Sequence, residues 1–120
     1  MSAKKVLIVD DSSTELKKLE QIVTEAGFIV ITAISGKDAL EKTKTYRPDA
    51  VLLDIIMPDM NGFQVCRAIK SDGETSSIPV VLVSSKGEKT DRVWGLEQGA
   101  QAYITKPYSP EEIVGQLRAL

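Results

Sequence analysis

Val51-Leu52-Leu53-Asp54-Ile55-Ile56-Met57-Pro58-Asp59-Met60-Asn61-Gly62 decides how the rest of the chain is read. The apolar run from Ala50 to Leu53 is short and continuous, the pattern of a strand buried on both faces. Asp54 stands at its C-terminal tip. Pro58 stops any helix or strand from running on, because its ring fixes φ and removes an N–H donor. Gly62 is expected to let the chain turn before the next helix starts. A carboxylate is thus held on a short loop at the mouth of a strand, and Asp54 reads as a phosphate acceptor. Any α/β protein has strands that end in a polar cap, so the reading depends on what converges with Asp54.

Working outward, Lys5-Val-Leu-Ile-Val9 is a second continuous apolar run, ending abruptly in Asp10-Asp11. Ser12 or Ser13 can cap the helix that follows, and Glu15 falls in its first turn, where acids suit the helix dipole. Leu16, Leu19, Ile22, Val23 and Ala26 recur at helical spacing up to Gly27. A strand is expected over Phe28–Ala33, and a helix with Ala39, Leu40 and Thr43 inward before Arg47-Pro48-Asp49. After the Asp54 loop, Phe63, Val65, Cys66 and Ile69 mark a third helix. Ile78–Val83 reads as a fourth strand with Ser84-Ser85-Lys86 at its tip. A fourth helix is expected from about Thr90 to Gln98 with Val93 and Leu96 facing inward. Ala102–Thr105 is a short fifth strand ending in Lys106-Pro107. Ser109-Pro110-Glu111 is a helix start, a cap followed by proline at the first helical position.

Strand and helix alternate five times, which predicts a parallel sheet with helices on both faces. Ligands of such open sheets sit outside the carboxyl ends of the strands. The polar residues gather at those ends: Asp10, Asp11, Asp54, Ser84 and Lys106.

Composition removes other classes. A chain of 120 residues fits one domain, 1–120. Its net charge of −2 leaves no basic footprint for nucleic acid. No apolar run reaches 18 residues, so no membrane span is expected. The lead-in Met1-Ser-Ala-Lys-Lys5 runs into too short an apolar stretch for a signal peptide, and a cytoplasmic location is the expectation. Cys66 is the single cysteine and there is no histidine, which excludes an internal disulfide and the commonest zinc ligand sets.

Three acids from two strand tips can converge on one hard cation. Mg²⁺ takes oxygen ligands, typically one or two carboxylates with waters and phosphate oxygens. A divalent cation together with Lys106 would cancel the three carboxylate charges, which would otherwise repel a phosphoryl donor. Lys106 can act as a point donor to phosphate and Ser84 as a hydroxyl donor. Phosphoryl transfer needs little more than such positioning and charge.

Val-Asp10-Asp11-Ser, Leu-Asp54-Ile-Ile-Met-Pro-Asp-Met-Asn-Gly, Val-Ser84-Ser85 and Tyr103-Ile-Thr-Lys106-Pro107 together resemble a bacterial response-regulator receiver domain of the CheY type, over essentially the whole chain. That resemblance implies a flavodoxin-like, doubly wound, five-stranded parallel sheet of five β–α units with strand order 2-1-3-4-5. It implies phosphorylation of Asp54 by a CheA-like sensor histidine kinase. Mg²⁺ would be held by Asp10, Asp11, Asp54 and the backbone carbonyl of Ile56. Ser84 and Tyr103 would form the switch pair, remodelling the face of the fourth helix, fifth strand and fifth helix for a downstream protein. Ile56 and Lys86 occupy positions that in this family tune loss of the phosphate. Apolar Ile56 cannot orient an attacking water by a side-chain hydrogen bond, so slow self-dephosphorylation is expected. Glu74-Thr-Ser-Ser-Ile-Pro and Lys89-Thr-Asp-Arg-Val-Trp94-Gly-Leu-Glu-Gln-Gly-Ala100 look most like stand-alone PilH-type receivers of type IV pilus (twitching) chemosensory systems. A monomer is expected, with no further catalytic activity.

Other classes fit less well. A haloacid-dehalogenase-like phosphatase would want a second Asp two residues after the nucleophile, where Ile56 stands. A flavin carrier would meet repulsion between the flavin phosphate and Asp10-Asp11. A phosphate sink without its own target, or a receiver module cut from a longer regulator, would need the same pocket, and both stay open at the level of sequence.

Overall fold

The structure, a computed structural model, describes residues 4–120, so Met1-Ser2-Ala3 of the lead-in lie outside the described residues. Ten elements alternate along the chain: β1 (Lys5–Val9), α1 (Ser13–Glu25), β2 (Ile29–Ala33), α2 (Gly36–Tyr46), β3 (Ala50–Leu53), α3 (Gly62–Ser71), β4 (Val80–Ser84), α4 (Lys89–Glu97), β5 (Ala102–Thr105) and α5 (Pro110–Arg118). The strands form one parallel sheet in the order β2-β1-β3-β4-β5. The chain thus runs outward from β1 to β2, then returns past β1 to β3. That reversal opens a crevice at the carboxyl ends of β1 and β3, where ligands of open α/β sheets bind.

Alternation along each strand sorts the core into two layers. Leu7, Val9, Val51, Leu53, Val80 and Leu82 point to the face covered by α2 and α3, where Ala39, Val65, Cys66 and Ile69 meet them. Val6, Ile8, Leu52, Val81, Val83 and Ile104 point to the other face, against Leu19 and Val23 of α1 and Ile113 and Leu117 of α5. The central strands are apolar throughout because both faces are covered; the edge strand β2 is only half-buried. Ser12, Ser35, Asn61 and Ser109 each cap a helix by accepting a backbone N–H.

Boundaries move slightly from the sequence expectation. β2 begins at Ile29, and β4 begins at Val80, with Pro79 just outside it contributing its carbonyl to the Val51 N–H at 3.0 Å. One expectation is overturned. Val93 and Leu96 of α4 are not inward: they are 47% and 52% exposed, and Gly95 is the only buried residue of that helix. A Cβ on Gly95 would lie 2.7 Å from Leu82 Cδ1 and 3.1 Å from Tyr103 Cδ2. α4 approaches the sheet so closely that its inward position has no room for a side chain, and the apolar residues are turned away. Trp94, half exposed, meets the Phe63 ring edge-on at 6.5 Å.

Candidate functional site

The two central acids are extensions of the sheet. The Asp10 N–H donates to the Ala33 carbonyl at 3.1 Å, and the Asp54 N–H donates to the Val9 carbonyl at 3.0 Å. β1 and β3 therefore deliver Asp10 and Asp54 side by side at the crevice, and both are buried. Asp11 is exposed beside them. Carboxylate oxygens of all three lie within 4.8 Å of one another. On the opposite wall the Lys106 N–H donates to the Ser84 carbonyl at 2.8 Å, fixing the end of β5 to β4. The Lys106 ammonium then reaches back to Asp10 at 3.0 Å and to Asp54 at 3.9 Å.

Gly62 matters here for a reason other than turning. A Cβ on it would collide with the Asp54 carbonyl oxygen and stand 2.7 Å from the Ile55 Cα. Only glycine lets the first residue of α3 close on the Asp54 backbone, and its N–H donates to the Ile55 carbonyl at 2.8 Å. The loop is also tied at its middle. Asp59 accepts the Gly36 and Lys37 N–H groups at 3.0 and 2.9 Å, anchoring the loop on the N-terminus of α2.

The electrostatics follow from this crowding. Burial raises the Asp54 carboxyl to about 6; the nearby Lys106 ammonium opposes the rise and the Asp10 carboxylate adds to it. The Ile55 N–H, donating to Asp54 Oδ1 at 2.8 Å, also favours the ionised form. Buried carboxylates with one shared ammonium remain short of positive charge. An all-oxygen donor set of this span fits a hard divalent cation, with small rotations bringing the oxygens to a common centre.

Ser84 and Tyr103 grip one residue from two sides. The buried Ser84 hydroxyl accepts the Lys86 N–H at 3.2 Å, and the Tyr103 hydroxyl donates to the Lys86 carbonyl. Lys86 itself is exposed, as is Ile56, whose side chain is 54% accessible on the Asp54 loop. The structure thus gathers Asp10, Asp11, Asp54, Lys106 and Ser84 at one end of the sheet, with Tyr103 and Lys86 linked to them through the loop after β4. Cys66 is buried and its thiol is pushed up to about 11 by burial, in keeping with a packing role.

The sequence assigns neither of two further residues to this site: Glu15 reads only as a first-turn acid of α1, and Tyr108 has no assigned role. Tyr108 is buried after Lys106-Pro107, with its hydroxyl unpartnered among the described residues, and Glu15 Oε2 is likewise buried and unpartnered. The one local hint was an aromatic following Lys-Pro.

Residues 6–118 match the family described as the response regulator receiver domain. The chain belongs to that family. It is 44% identical over 116 residues to the protein PilH of Pseudomonas aeruginosa, covering 97% of this chain and 96% of PilH. It is 40% identical over 115 residues to PilG of the same organism, covering 96% of this chain and 85% of PilG. Its backbone superposes on the chemotaxis protein CheY4 of Vibrio cholerae with a TM-score of 0.92 at 29% identity, covering 98% of both chains. Other curated relatives are longer, and the match covers as little as 44% of their length. The strand order is the one the flavodoxin-like, CheY-like fold requires. A receiver domain is a signalling module rather than a metabolic enzyme. No helix among the described residues is long and apolar enough to cross a membrane.

Proposed function

We propose that the chain, read as one receiver module over residues 1–120, takes a phosphoryl group from a histidine kinase onto Asp54 and signals by changing a protein-binding face. The observation that carries this reading is the buried Asp54 carboxylate set between Asp10 and Lys106 at the crevice. Asp54 is the nucleophile: its free oxygen attacks phosphorus while its Oδ1 stays on the Ile55 N–H. Lys106 steadies the incoming phosphoryl oxygens as a point charge. Mg²⁺, held by Asp10, Asp11, Asp54 and the Ile56 carbonyl, would supply the charge neutralisation that lets a phosphate dianion enter an acidic pocket.

Ser84 and Tyr103 relay the event. When the Ser84 hydroxyl turns to donate to a phosphoryl oxygen, it leaves the Lys86 N–H that it now accepts. Tyr103 holds the carbonyl of the same residue, so the loop after β4 and the face of α4, β5 and α5 feel the loss. That face is assigned to a downstream protein and the kinase is CheA-like. Likeness to PilH and PilG supports a type IV pilus chemosensory system, and twitching motility, as the setting. Ile56 and Lys86 border the phosphoryl site and set the lifetime of the phosphorylated state.

The test is intact mass after incubation with acetyl phosphate or phosphoramidate, with Mg²⁺ or EDTA, on wild type and Asp54→Asn. A gain of one phosphoryl group that needs Mg²⁺ and is absent from Asp54→Asn is the expected result. No gain in wild type, or an undiminished gain in Asp54→Asn, would overturn the assignment.

A further inference from the structure

The loop that follows Asp54 is pinned at both ends, by two different helices. At its start the Gly62 N–H of α3 donates to the Ile55 carbonyl at 2.8 Å. At its far end Asp59 accepts the first two N–H groups of α2, Gly36 at 3.0 Å and Lys37 at 2.9 Å, one on each carboxylate oxygen. Among the described residues these are the only side-chain hydrogen bonds that tie residues 55–60 to another element. N–H groups at a helix start have no partner inside the helix, and a carboxylate there also meets the positive end of the helix dipole. The Gly36 and Lys37 N–H groups hold the Asp59 carboxyl below its ordinary value, so it is ionised at neutral pH.

Close packing backs this clasp. A Cβ on Gly36 would stand 2.8 Å from Met60 Cβ and 3.0 Å from Val65 Cγ2. Glycine at this position is what lets α2 come down onto the loop. Between the two pins lie Ile56, Met57 and Pro58. Pro58 fixes its own φ and restricts Met57 before it, so the segment is short and stiff. A displacement at Asp59 is passed back to Ile56 rather than absorbed. Ile56 in turn borders the nucleophile, since the N–H groups of Ile55 and Ile56 both favour the ionised Asp54 carboxylate.

We propose that Asp59 is a positioning residue for the cation site: by clasping the N-terminus of α2 it holds the Ile56 carbonyl in place for a divalent cation shared with Asp10, Asp11 and Asp54. The inference rests on that carbonyl as a Mg²⁺ ligand. It adds what sets the carbonyl and which helix is coupled to it. Both Asp59 oxygens are engaged on α2, so Asp59 acts through the loop. Without the clasp the cation must order the loop itself, and ordering one residue's backbone weakens a binding constant by roughly five- to thirtyfold. Linkage makes the effect reciprocal: a clasp that favours the cation is tightened by the cation to the same degree. Protection of the Gly36 and Lys37 amides then reports occupancy of a site that α2 does not itself line.

The experiment is a Mg²⁺ titration of the unphosphorylated full chain followed by amide NMR, with hydrogen exchange at Gly36 and Lys37 measured without and with saturating Mg²⁺. It is run on wild type, Asp59→Ala, Asp59→Asn, Gly36→Ala and Asp72→Ala, with thermal unfolding of each. Asp72 is the control, because it ties the other end of α2 through the Lys44 ammonium at 3.1 Å. Its loss removes a carboxylate and an α2 contact and leaves the Asp54 loop alone. Asp59→Ala is expected to weaken Mg²⁺ binding by roughly fivefold or more. Asp59→Asn keeps one acceptor oxygen and should weaken it less. Gly36→Ala keeps every charge and should still weaken it, which separates positioning from lost attraction. Asp72→Ala should bind Mg²⁺ as wild type does. Mg²⁺ should slow exchange at Gly36 and Lys37 in wild type and not in Asp59→Ala.

A merely structural Asp59 would lower the unfolding temperature and leave the Mg²⁺ affinity unchanged, and that result overturns the proposal. Equal weakening in Asp72→Ala overturns it as well. So does Asp59→Asn as weak as Asp59→Ala beside an unaffected Gly36→Ala, which assigns the effect to charge. Should wild type bind no Mg²⁺, the metal reading and this inference fall together; binding in wild type with unaffected Asp59 variants removes the inference alone.

Discussion

α3 and α4 are consecutive helices of 10 and 9 residues, and the sheet holds them very differently. α3 buries Gly62, Val65, Cys66 and Ile69, and Asn61 and Gln64 close a reciprocal cap at its start. α4 buries Gly95 alone and leaves Val93, Trp94 and Leu96 about half exposed. Its side-chain ties are the Phe63–Trp94 edge contact and a hydrogen bond from Arg92 to Thr105 at 3.0 Å. The helix that follows Asp54 is packed as core, and the helix that follows Ser84 lies on the body through a glycine. Under the proposed function, Asp54 must hold still when its charge changes, whereas the output face must move. Local stability is lowest where buried apolar contacts are fewest, so α4 is the element that a small shift at Ser84 can displace.

The sharpest way to break this contrast is truncation inside α3. Ile69→Ala removes a fully buried side chain and is expected to lower unfolding free energy by about 3 kcal/mol in urea melts. A loss below about 1 kcal/mol would mean that α3 is no better anchored than α4. Next in size is the lifetime of the phosphorylated state. Ile56 is exposed on the loop that α3 holds still, and Ile56→Asn would offer an amide to orient water, so phosphate loss should accelerate by about tenfold. Mass spectrometry against time after donor removal checks this, and an unchanged lifetime would show that the position does not steer water.

A smaller effect is expected from charge alone. The folded-state pKa of Asp54, about 6, lies above its unfolded value. Between roughly pH 4 and 6 the folded chain therefore binds more protons than the unfolded one. This group's contribution to stability is fully present below that window and is lost as pH rises through 6. In metal-free buffer at pH 7, Asp54→Asn should be more stable by about 1 kcal/mol, a figure reduced because Lys106 and solvent screen the carboxylate. The gain should vanish at pH 4; an equal gain at both pH values would assign it to packing. The smallest effect belongs to the α4 surface. Leu96→Ala should change stability by less than about 0.5 kcal/mol. A cost near that of Ile69→Ala would mean that α4 is core after all.

The parts legible in advance were those whose signal is local. A buried parallel strand must be apolar at successive positions, so β1, β3 and β4 announced themselves, and the acids and the lysine at their ends followed from where such runs stop. The Gly62 requirement was visible as a glycine and misread as to cause. Its need comes from the Asp54 carbonyl, eight positions earlier in the chain and in contact only after folding. The inward assignment of Val93 and Leu96 failed because hydrophobicity reports a preference for burial, and the approach of α4 to Leu82 and Tyr103 left room only for Gly95. Asp59 as the anchor on α2, and Glu15 beside Tyr108, depend on segments far apart in sequence and had no periodicity to betray them.

By itself the sequence determined the alternation of elements, the two-sided burial of the central strands and the family of strand-end residues that name a receiver. Each of these is written in residues next to one another, where backbone period and side-chain polarity act without reference to the rest of the chain. The tertiary structure alone decided which face of α4 is exposed, how Ser84 and Tyr103 share Lys86, and that Glu15 and Tyr108 line one cleft with Lys106. Those outcomes depend on distances between elements, and packing sets such distances only when every layer is in place.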